Sequence, residues 1–316
     1  SLPTSGSTGV PKQITLPRER LEASARLTGT TLGIGPGTRA LVCLNVNYIA
    51  GIMMLVRGME LGWELTIIEP TANPLVQFDN AYFDFIAMAP MQLAAILANE
   101  ATEEKIDSVG KILLGGAPVS ASLQRAIVGL LPEIYLSYGM TETVSHVALR
   151  RLNGVGASEE FKVFNEVELG TDNRGCLWVS GPMTGGEVVQ TNDLVTLTSD
   201  EKFVWLGRAD SIINSGGVKI QLDRIDRITE EVRDRMGSDF EFFSWYTTDE
   251  RLGQKLILIV KRNAAEFDVK SFLYAISKEL SAYEVPKHVY FATEFELTPS
   301  GKINKIATCE KLNIPQ

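Results

Sequence analysis

Four short segments carry side chains able to handle phosphate, sugar hydroxyls and a hard cation. The first is Thr4-Ser5-Gly6-Ser7-Thr8-Gly9-Val10-Pro11-Lys12. Small hydroxylated residues between glycines let backbone N–H groups and hydroxyls approach phosphate oxygens without Cβ clashes, and Lys12 adds a positive charge. The pattern of a Walker A loop cannot be laid on it, and taken alone it reads equally well as a plain Ser/Gly loop. The second is Tyr138-Gly139-Met140-Thr141-Glu142-Thr143, directly after the strand-like run Ile134–Ser137. Loops at strand ends of open α/β sheets are where ligands bind. There Thr141 can donate to a phosphoryl oxygen and Glu142 can hold a cation such as Mg²⁺. A capped helix start with an acid in its first turn is the ordinary alternative.

The third segment is Thr191-Asn192-Asp193, followed by Arg208 within Gly207-Arg208-Ala209-Asp210. A carboxylate can accept both hydroxyls of a ribose, and a guanidinium can donate to sugar or phosphate. An Asp turn and a surface arginine account for the same residues. The fourth, Thr298-Pro299-Ser300-Gly301-Lys302-Ile303, places a lysine on a turn near the C-terminus and carries little by itself.

These segments need a scaffold, and the pattern between them predicts one. Arg39–Leu44, Leu65–Ile68, Phe83–Met88, Lys111–Leu114 and Ile134–Ser137 read as strands. Ile49–Leu61 has helical spacing with Gly62 just beyond it, Met91–Asn99 follows Pro90, and Ser120 is placed to cap a further helix. This β-α-β-α rhythm predicts a parallel or mixed sheet with helices on its faces. From Gly175 the texture changes to short strands, Cys176–Ser180, Leu194–Thr198 and Lys202–Leu206, divided by Gly, Pro, Asn and Asp turns. Beyond Asp210 come Gly216-Gly217, a charged helix over Asp223–Met236, strands at Phe240–Tyr246 and Lys255–Lys261, a helix over Val269–Ser281 and a strand at His288–Ala292. That is a second, α+β unit, and the boundary falls near Asp210.

Composition agrees with two globular units. The chain has 316 residues, 45% apolar and 22% charged, with a net charge of −9. So acidic a chain is repelled by phosphate backbones, which argues against general nucleic-acid binding. Cys43, Cys176 and Cys309 are odd in number, far apart and form no CxxC, which fits a reducing cytoplasm better than a disulfide framework or zinc site. The most apolar stretch, Ala40–Val56, contains Asn45 and Asn47 and stops at Arg57, short of the ~18 apolar residues of a membrane span. No signal peptide is visible, and a start without Met at Ser1-Leu2-Pro3 predicts a fragment or a processed chain.

The order and content of the four segments, from Thr4 to Lys302, resemble the adenylate-forming superfamily: acyl- and aryl-CoA synthetases, firefly luciferase and the adenylation domains of peptide synthetases. Within it, Ser137–Arg150 (SYGMTETVSHVALR), Thr191–Val195 (TNDLV) and Ile213–Ile220 (INSGGVKI) look most like the shorter bacterial o-succinylbenzoate–CoA ligases of menaquinone biosynthesis. The resemblance implies an α/β fold: a large N-terminal domain over 1–209 with a small β-rich subdomain, then a small mobile α+β lid over 210–316. It implies an AMP-forming acid–CoA ligase using ATP, Mg²⁺ and CoA, with another aryl- or acyl-CoA ligase and a nucleotide-binding pseudoenzyme as alternatives. No nucleic-acid partner or membrane span is implied, and self-assembly is left open.

Residue by residue, the resemblance implies that Thr4, Ser5, Gly6, Ser7, Thr8, Gly9 and Lys12 close over the β- and γ-phosphates of ATP. Gly115, Gly116, Ala117 and Pro118 would flank adenine and Tyr138 would stack on it. Gly139 and Met140 lead to Thr141 and Glu142, which would meet the α-phosphate and Mg²⁺. Asp193 and Arg208 would hold the ribose, and Lys302 would bridge the substrate carboxylate and the α-phosphate. Asp210 matches the family hinge, and Gly216-Gly217 the loop beside the pantetheine tunnel. Two departures stand out. Tyr48 occupies the place of the His in a family His-x-x-Gly element (Tyr48-Ile49-Ala50-Gly51), and the region that precedes the phosphate loop in full-length members is absent. For a second, succinyl carboxylate the expected partners are His146, Arg150 and Arg57, beside Tyr48 in the acyl pocket.

Overall fold

The computed structural model describes residues 2–3, 13–80, 82–262, 267–298 and 303–315. Two short strands, β1 (Leu2–Pro3) and β2 (Gln13–Ile14), pair antiparallel. Then follow α1 (Arg18–Leu32), β3 (Arg39–Val42), α2 (Ile49–Leu61), β4 (Glu64–Ile67), β5 (Phe83–Met88), α3 (Pro90–Leu97), α4 (Glu100–Glu103), β6 (Val109–Leu114), α5 (Ala121–Ile127) and β7 (Glu133–Gly139). Six antiparallel strands continue: β8 (His146–Arg151), β9 (Phe161–Val163), β10 (Glu168–Thr171), β11 (Cys176–Ser180), β12 (Val189–Ser199) and β13 (Lys202–Arg208). The chain closes with β14 (Ile212–Ser215), β15 (Val218–Gln221), α6 (Leu222–Arg235), β16 (Glu241–Asp249), β17 (Gly253–Lys261), α7 (Val269–Ile276), β18 (His288–Ala292) and α8 (Lys305–Lys311).

The described residues form two compact units, 13–191 with 195–205, and 192–194 with 206–315. In the first, β4-β3-β5-β6-β7 run parallel, and β7 hands over to β8 and β9 in antiparallel register. Successive side chains of a strand point to opposite faces, so a strand that is apolar throughout must be covered on both. Ala40 and Val42 of β3 join Phe85, Ala87 and Leu113 in one core with Leu27, Leu32 and Met54 from α1 and α2. Leu41, Ile86, Met88, Ile112 and Leu114 join Leu93, Ile96, Leu123 and Ile127 from α3 and α5 in the other. The helix over Ile49–Leu61 spans the residues its spacing predicts, and Ser120 caps α5 by accepting from the Leu123 N–H. The doubly covered parallel sheet opens its loops at the carboxyl ends of β3, β5, β6 and β7, where Asn45–Tyr48, Ala89, Gly115–Pro118 and Gly139–Met140 lie.

The second unit is a five-stranded sheet with the order β15-β14-β17-β16, and β18 lies parallel on β17. Leu256, Leu258 and Val260 face Ile225, Val232, Phe272 and Ile276 of α6 and α7, while Ile257 and Ile259 face Phe243, Phe295, Cys309 and Ile314. The helix expected over Val269–Ser281 stops at Ile276: the Ser277 hydroxyl donates to the Tyr274 carbonyl, competing with the helical ladder. The short strand expected over Leu194–Thr198 is instead the eleven-residue β12. Among the described residues no helix is long and apolar enough to cross a membrane, and the three cysteines are free and buried.

Candidate functional site

Two of the expected elements, the loop of Thr4, Ser5, Gly6, Ser7, Thr8, Gly9 and Lys12 and the lone Lys302, lie outside the described residues. The others fall into two groups, one in each unit.

In the first unit the neighbouring parallel strands β6 and β7 end side by side. Gly115, Gly116, Ala117 and Pro118 follow β6 as a largely exposed turn, and the Ser137 hydroxyl of β7 donates to the Leu114 carbonyl at 2.8 Å, tying the two strand ends together. The half-buried Tyr138 ring sits edge-on to Phe203 at 5.1 Å and tilted to Phe161 at 5.8 Å, and those two rings stack on each other. Gly139 comes next, where β7 shifts register against β8. A side chain is excluded there: a Cβ would stand 2.2 Å from the Ser145 carbonyl oxygen and 2.4 Å from His146 Cα. Thr141-Glu142-Thr143 then makes a single 3-10 turn, not the start of a helix, and Glu142 is exposed. The Thr143 hydroxyl braces this turn, accepting from the Met140 N–H at 3.0 Å and reaching the Ser145 carbonyl at 2.7 Å.

Behind the turn lie Arg57 and His146, which the fold brings into contact. Arg57 is 2% exposed and His146 6%. Arg57 Nε donates to Thr28 Oγ1 at 3.2 Å, and Nη2 donates to Ser145 Oγ at 2.8 Å and meets His146 Nδ1 at 3.3 Å. Burial lowers the arginine pKa to about 9, so it remains charged at neutral pH. Burial, and then the Arg57 charge, hold His146 well below its usual range, so it is neutral. Of the residues expected beside a second carboxylate, His146 is an interior, neutral ring. Arg150 is engaged at the surface, donating to the Ser158 carbonyl and to Glu159 at 2.8 Å each. Tyr48 stands differently: it is the exposed residue before the first turn of α2.

In the second unit Asp193 on β12 is 8% exposed, and its Oδ1 lies 3.9 Å from Arg208 Nη1 on the adjacent β13. The Arg208 guanidinium makes a two-pronged contact with Asp210, at 2.8 and 2.6 Å. Its backbone is held as well: the Arg208 N–H donates to Asp223 Oδ2 at 2.8 Å, and Gln221 Nε2 donates to the Arg208 carbonyl at 2.9 Å. Burial raises the Asp223 pKa, partly offset by the Arg208 N–H. Gly216 and Gly217, at φ +61° and +84°, form the two-residue turn joining β14 to β15, the geometry that two left-handed residues make in a tight hairpin.

Thr28, Gln221 and Asp223 escaped the sequence reading because each belongs to no motif, and Ser145 because nothing in its own type marks it out within the Ser137–Arg150 stretch. Only Asp223, an acid opening a charged helix, left a signal. A cleft of about 460 Å³ in the first unit holds none of the expected residues. Its cations are each paired: Arg151 with Glu133, Lys162 with Glu201 and Lys202 with Glu160.

The family model described as AMP-binding enzyme matches residues 2–186, more than half of the chain. The chain belongs to the AMP-binding enzymes. It is similar to an AMP-forming acyl-CoA synthetase/AMP-acid ligase II-like protein from Dyadobacter fermentans, with 55% identity, 98% of this chain and 89% of that one covered, and a TM-score of 0.65. Among curated proteins it is 25% identical to 2-succinylbenzoate–CoA ligase of Bacillus cereus, over 95% of this chain and 67% of the relative. The fold is shared with the o-succinylbenzoate CoA synthetase of Bacillus subtilis in complex with its acyl-adenylate, at 20% identity and TM-score 0.79 over 96% of this chain and 67% of that one. This AMP-binding enzyme thus spans about two thirds of the length of the curated relatives it matches. Its class is that of AMP-forming acid–CoA ligases, with ATP and CoA as reactants of the class; the Bacillus subtilis synthetase, 19% identical, has been solved in complex with ATP and a magnesium ion.

Proposed function

We propose that this enzyme adenylates o-succinylbenzoate with release of pyrophosphate and then transfers the acyl group to CoA with release of AMP, in menaquinone biosynthesis. The observation that carries the reading is a curated set of 2-succinylbenzoate–CoA ligases, each about a quarter identical over nearly the whole chain. Another aryl or acyl acid is the second reading, favoured by Tyr48 at the place of the family histidine.

The chemistry follows from charge. A carboxylic acid is ionised at neutral pH, so its oxygen attacks the α-phosphorus without a general base. The new acyl–phosphate bond forms as the bond to pyrophosphate breaks, and the negative charge that gathers must be matched by fixed donors and cations. We assign the Thr141 hydroxyl to an α-phosphate oxygen, Lys302 to the bridge between the acid and that phosphate, and Thr4–Lys12 to the outgoing phosphates. Gly115–Pro118 and Tyr138 flank adenine, and Asp193 and Arg208 take the ribose. Glu142 is a single exposed carboxylate at a strand end, and no three His, Cys, Asp or Glu converge among the described residues. That donor set suits an ion carried chiefly by phosphate oxygens, and Mg²⁺ so bound supplies charge neutralisation.

In the second half-reaction a thiol forms the carbon–sulfur bond and AMP leaves. We assign Asp210 to the hinge between 1–209 and 210–316, and Gly216-Gly217 to the backbone that the pantetheine arm passes. Tyr48, exposed before α2, is our contact for the acid. Arg57 and His146 are engaged with each other and with Thr28 and Ser145, so we assign neither to the acid.

Acid-dependent ATP–pyrophosphate exchange over a panel of acids tests the reading. Exchange with o-succinylbenzoate supports it; turnover confined to benzoates or fatty acids moves it to the second reading, and no exchange with any acid defeats both. Lys302→Ala is expected to abolish exchange with ATP binding retained, and wild-type exchange would refute the lysine assignment.

A further inference from the structure

Arg57 is a fully buried charge, and among the described residues no carboxylate lies within ion-pair distance of it. Desolvating such an ion costs several kcal/mol, so its hydrogen bonds must hold something worth that cost. They join three elements: Thr28 on α1, Arg57 on α2, and Ser145 with His146 at the start of β8. A guanidinium only donates, so His146 Nδ1 accepts and the ring proton sits on Nε2, which faces Thr28 Oγ1 at 3.2 Å. Thr28 in turn donates to the Ser24 carbonyl at 2.9 Å. The network therefore closes only with His146 neutral.

What it holds is the turn Met140–Ser145. Val144 adopts φ +66°, ψ −55°, a positive-φ conformation that a β-branched residue resists. The Ser145 N–H donates to the Thr143 carbonyl at 2.7 Å, closing a tight three-residue turn around Val144. Val144 is wholly buried against Ala25 and Met53. Apolar packing thus grips the centre of the strained turn, and Arg57 grips its exit through Ser145.

We propose that Arg57 is a positioning residue for adenylation: its forked contact to Ser145 and His146 keeps the strained turn closed and so presents Thr141 and Glu142 at the end of β7. The inference rests on the roles given to Thr141 and Glu142 under Proposed function. Geometry, not charge alone, is what it requires, and lysine keeps the charge while losing the fork.

The test compares Arg57→Lys, Ser145→Ala and Ser145→Thr with the wild type by two readouts. Amide hydrogen exchange over residues 139–147 reads the clamp, with α6 as an internal control. Acid-dependent ATP–pyrophosphate exchange reads its consequence. Losing a hydrogen bond to a charged group is expected to speed amide exchange in the turn about tenfold in Arg57→Lys and Ser145→Ala. The kcat of pyrophosphate exchange should fall by a similar factor with KM for the acid within about twofold, and Ser145→Thr should restore both. Unchanged amide exchange in both variants overturns the proposal. So does a loosened turn with wild-type kcat, or a loosening spread evenly over the whole first unit. A wild type without acid-dependent exchange would instead defeat the functional reading, while the amide data would still decide whether the clamp exists.

Discussion

Gly139→Ala offers a sharp test of how β7 presents the Thr141–Glu142 turn. The new methyl carbon would fall 2.2 Å from the Ser145 carbonyl oxygen, 2.4 Å from His146 Cα and 2.7 Å from the Ser145 carbonyl carbon. All three are backbone atoms, so no flexible side chain can yield. Ordinary contact starts at 3.4 Å, so β7 and the start of β8 must separate by about 1 Å at this point. That strain costs about 1–3 kcal/mol of stability, in the range of overpacked interiors. The larger effect falls on chemistry, because a displacement of about 1 Å in a positioned group can cost ~100-fold in rate. Gly116→Ala is the control: unlike Gly139 it is left-handed, at φ +82°, and nothing stands within 4 Å of its Cβ, so only a backbone penalty of about 1 kcal/mol applies. Urea denaturation and the acid-dependent ATP–pyrophosphate exchange rate would be measured for both variants. Gly139→Ala with the stability and kcat of Gly116→Ala would refute the close approach, and with it the claim that the turn must be held to within an ångström.

Asp193→Ala should raise KM for ATP about tenfold or more, the loss of a charge-assisted bond to a hydroxyl, while the exchange kcat at saturation changes less; an unaltered KM would remove Asp193 from the nucleotide site. Phe203→Ala deletes a wholly buried ring stacked on Phe161 and edge-on to Tyr138, and should destabilise by about 3–5 kcal/mol in urea titration. A loss under about 1 kcal/mol would contradict that packing. Because the folded protein keeps His146 neutral, its unfolded chain binds the extra proton below about pH 6.5, so stability is fully present above that pH and falls as pH drops through it. His146→Asn should flatten the fall between pH 7.5 and 5.5, by at most about 1.4 kcal/mol per pH unit, and identical pH profiles would overturn the assignment. Glu133, held down to about 2 by Lys111, then Tyr135 and Arg151, contributes stability present above its unfolded value of about 4.5 and lost as pH falls toward 2. In Glu133→Gln the Tm difference from wild type should shrink steadily over that window, and a constant difference would contradict the pairing.

Local pattern was enough for the parallel half of the first unit and the main elements of the second, while α1, β8, β9, β10 and α8 went unread. The alternation of Leu256 to Val260 follows from the two-residue pleat, and the extent of α2 follows from a 3.6-residue repeat ending at a glycine. The phosphate-type segments were legible too, since residue type and neighbours alone set what a short loop can donate or accept. Where those signals stopped, the information was not local. Arg57 is separated by 29 residues from Thr28 and 89 from His146, and no periodicity says that a charged residue on α2 will lie inside. Nothing in Thr143-Val144-Ser145 announces a positive-φ valine, because packing against Ala25 and Met53 pins it there against its own preference. The same holds for Asp223, whose carboxyl is spoken for by the backbone of Arg208 fifteen residues away. Sequence by itself determined which residues are able to do chemistry and which elements carry them. The tertiary structure alone decided which of them lose water, because desolvation and strain belong to the packed neighbourhood of a group and not to the chain that bears it.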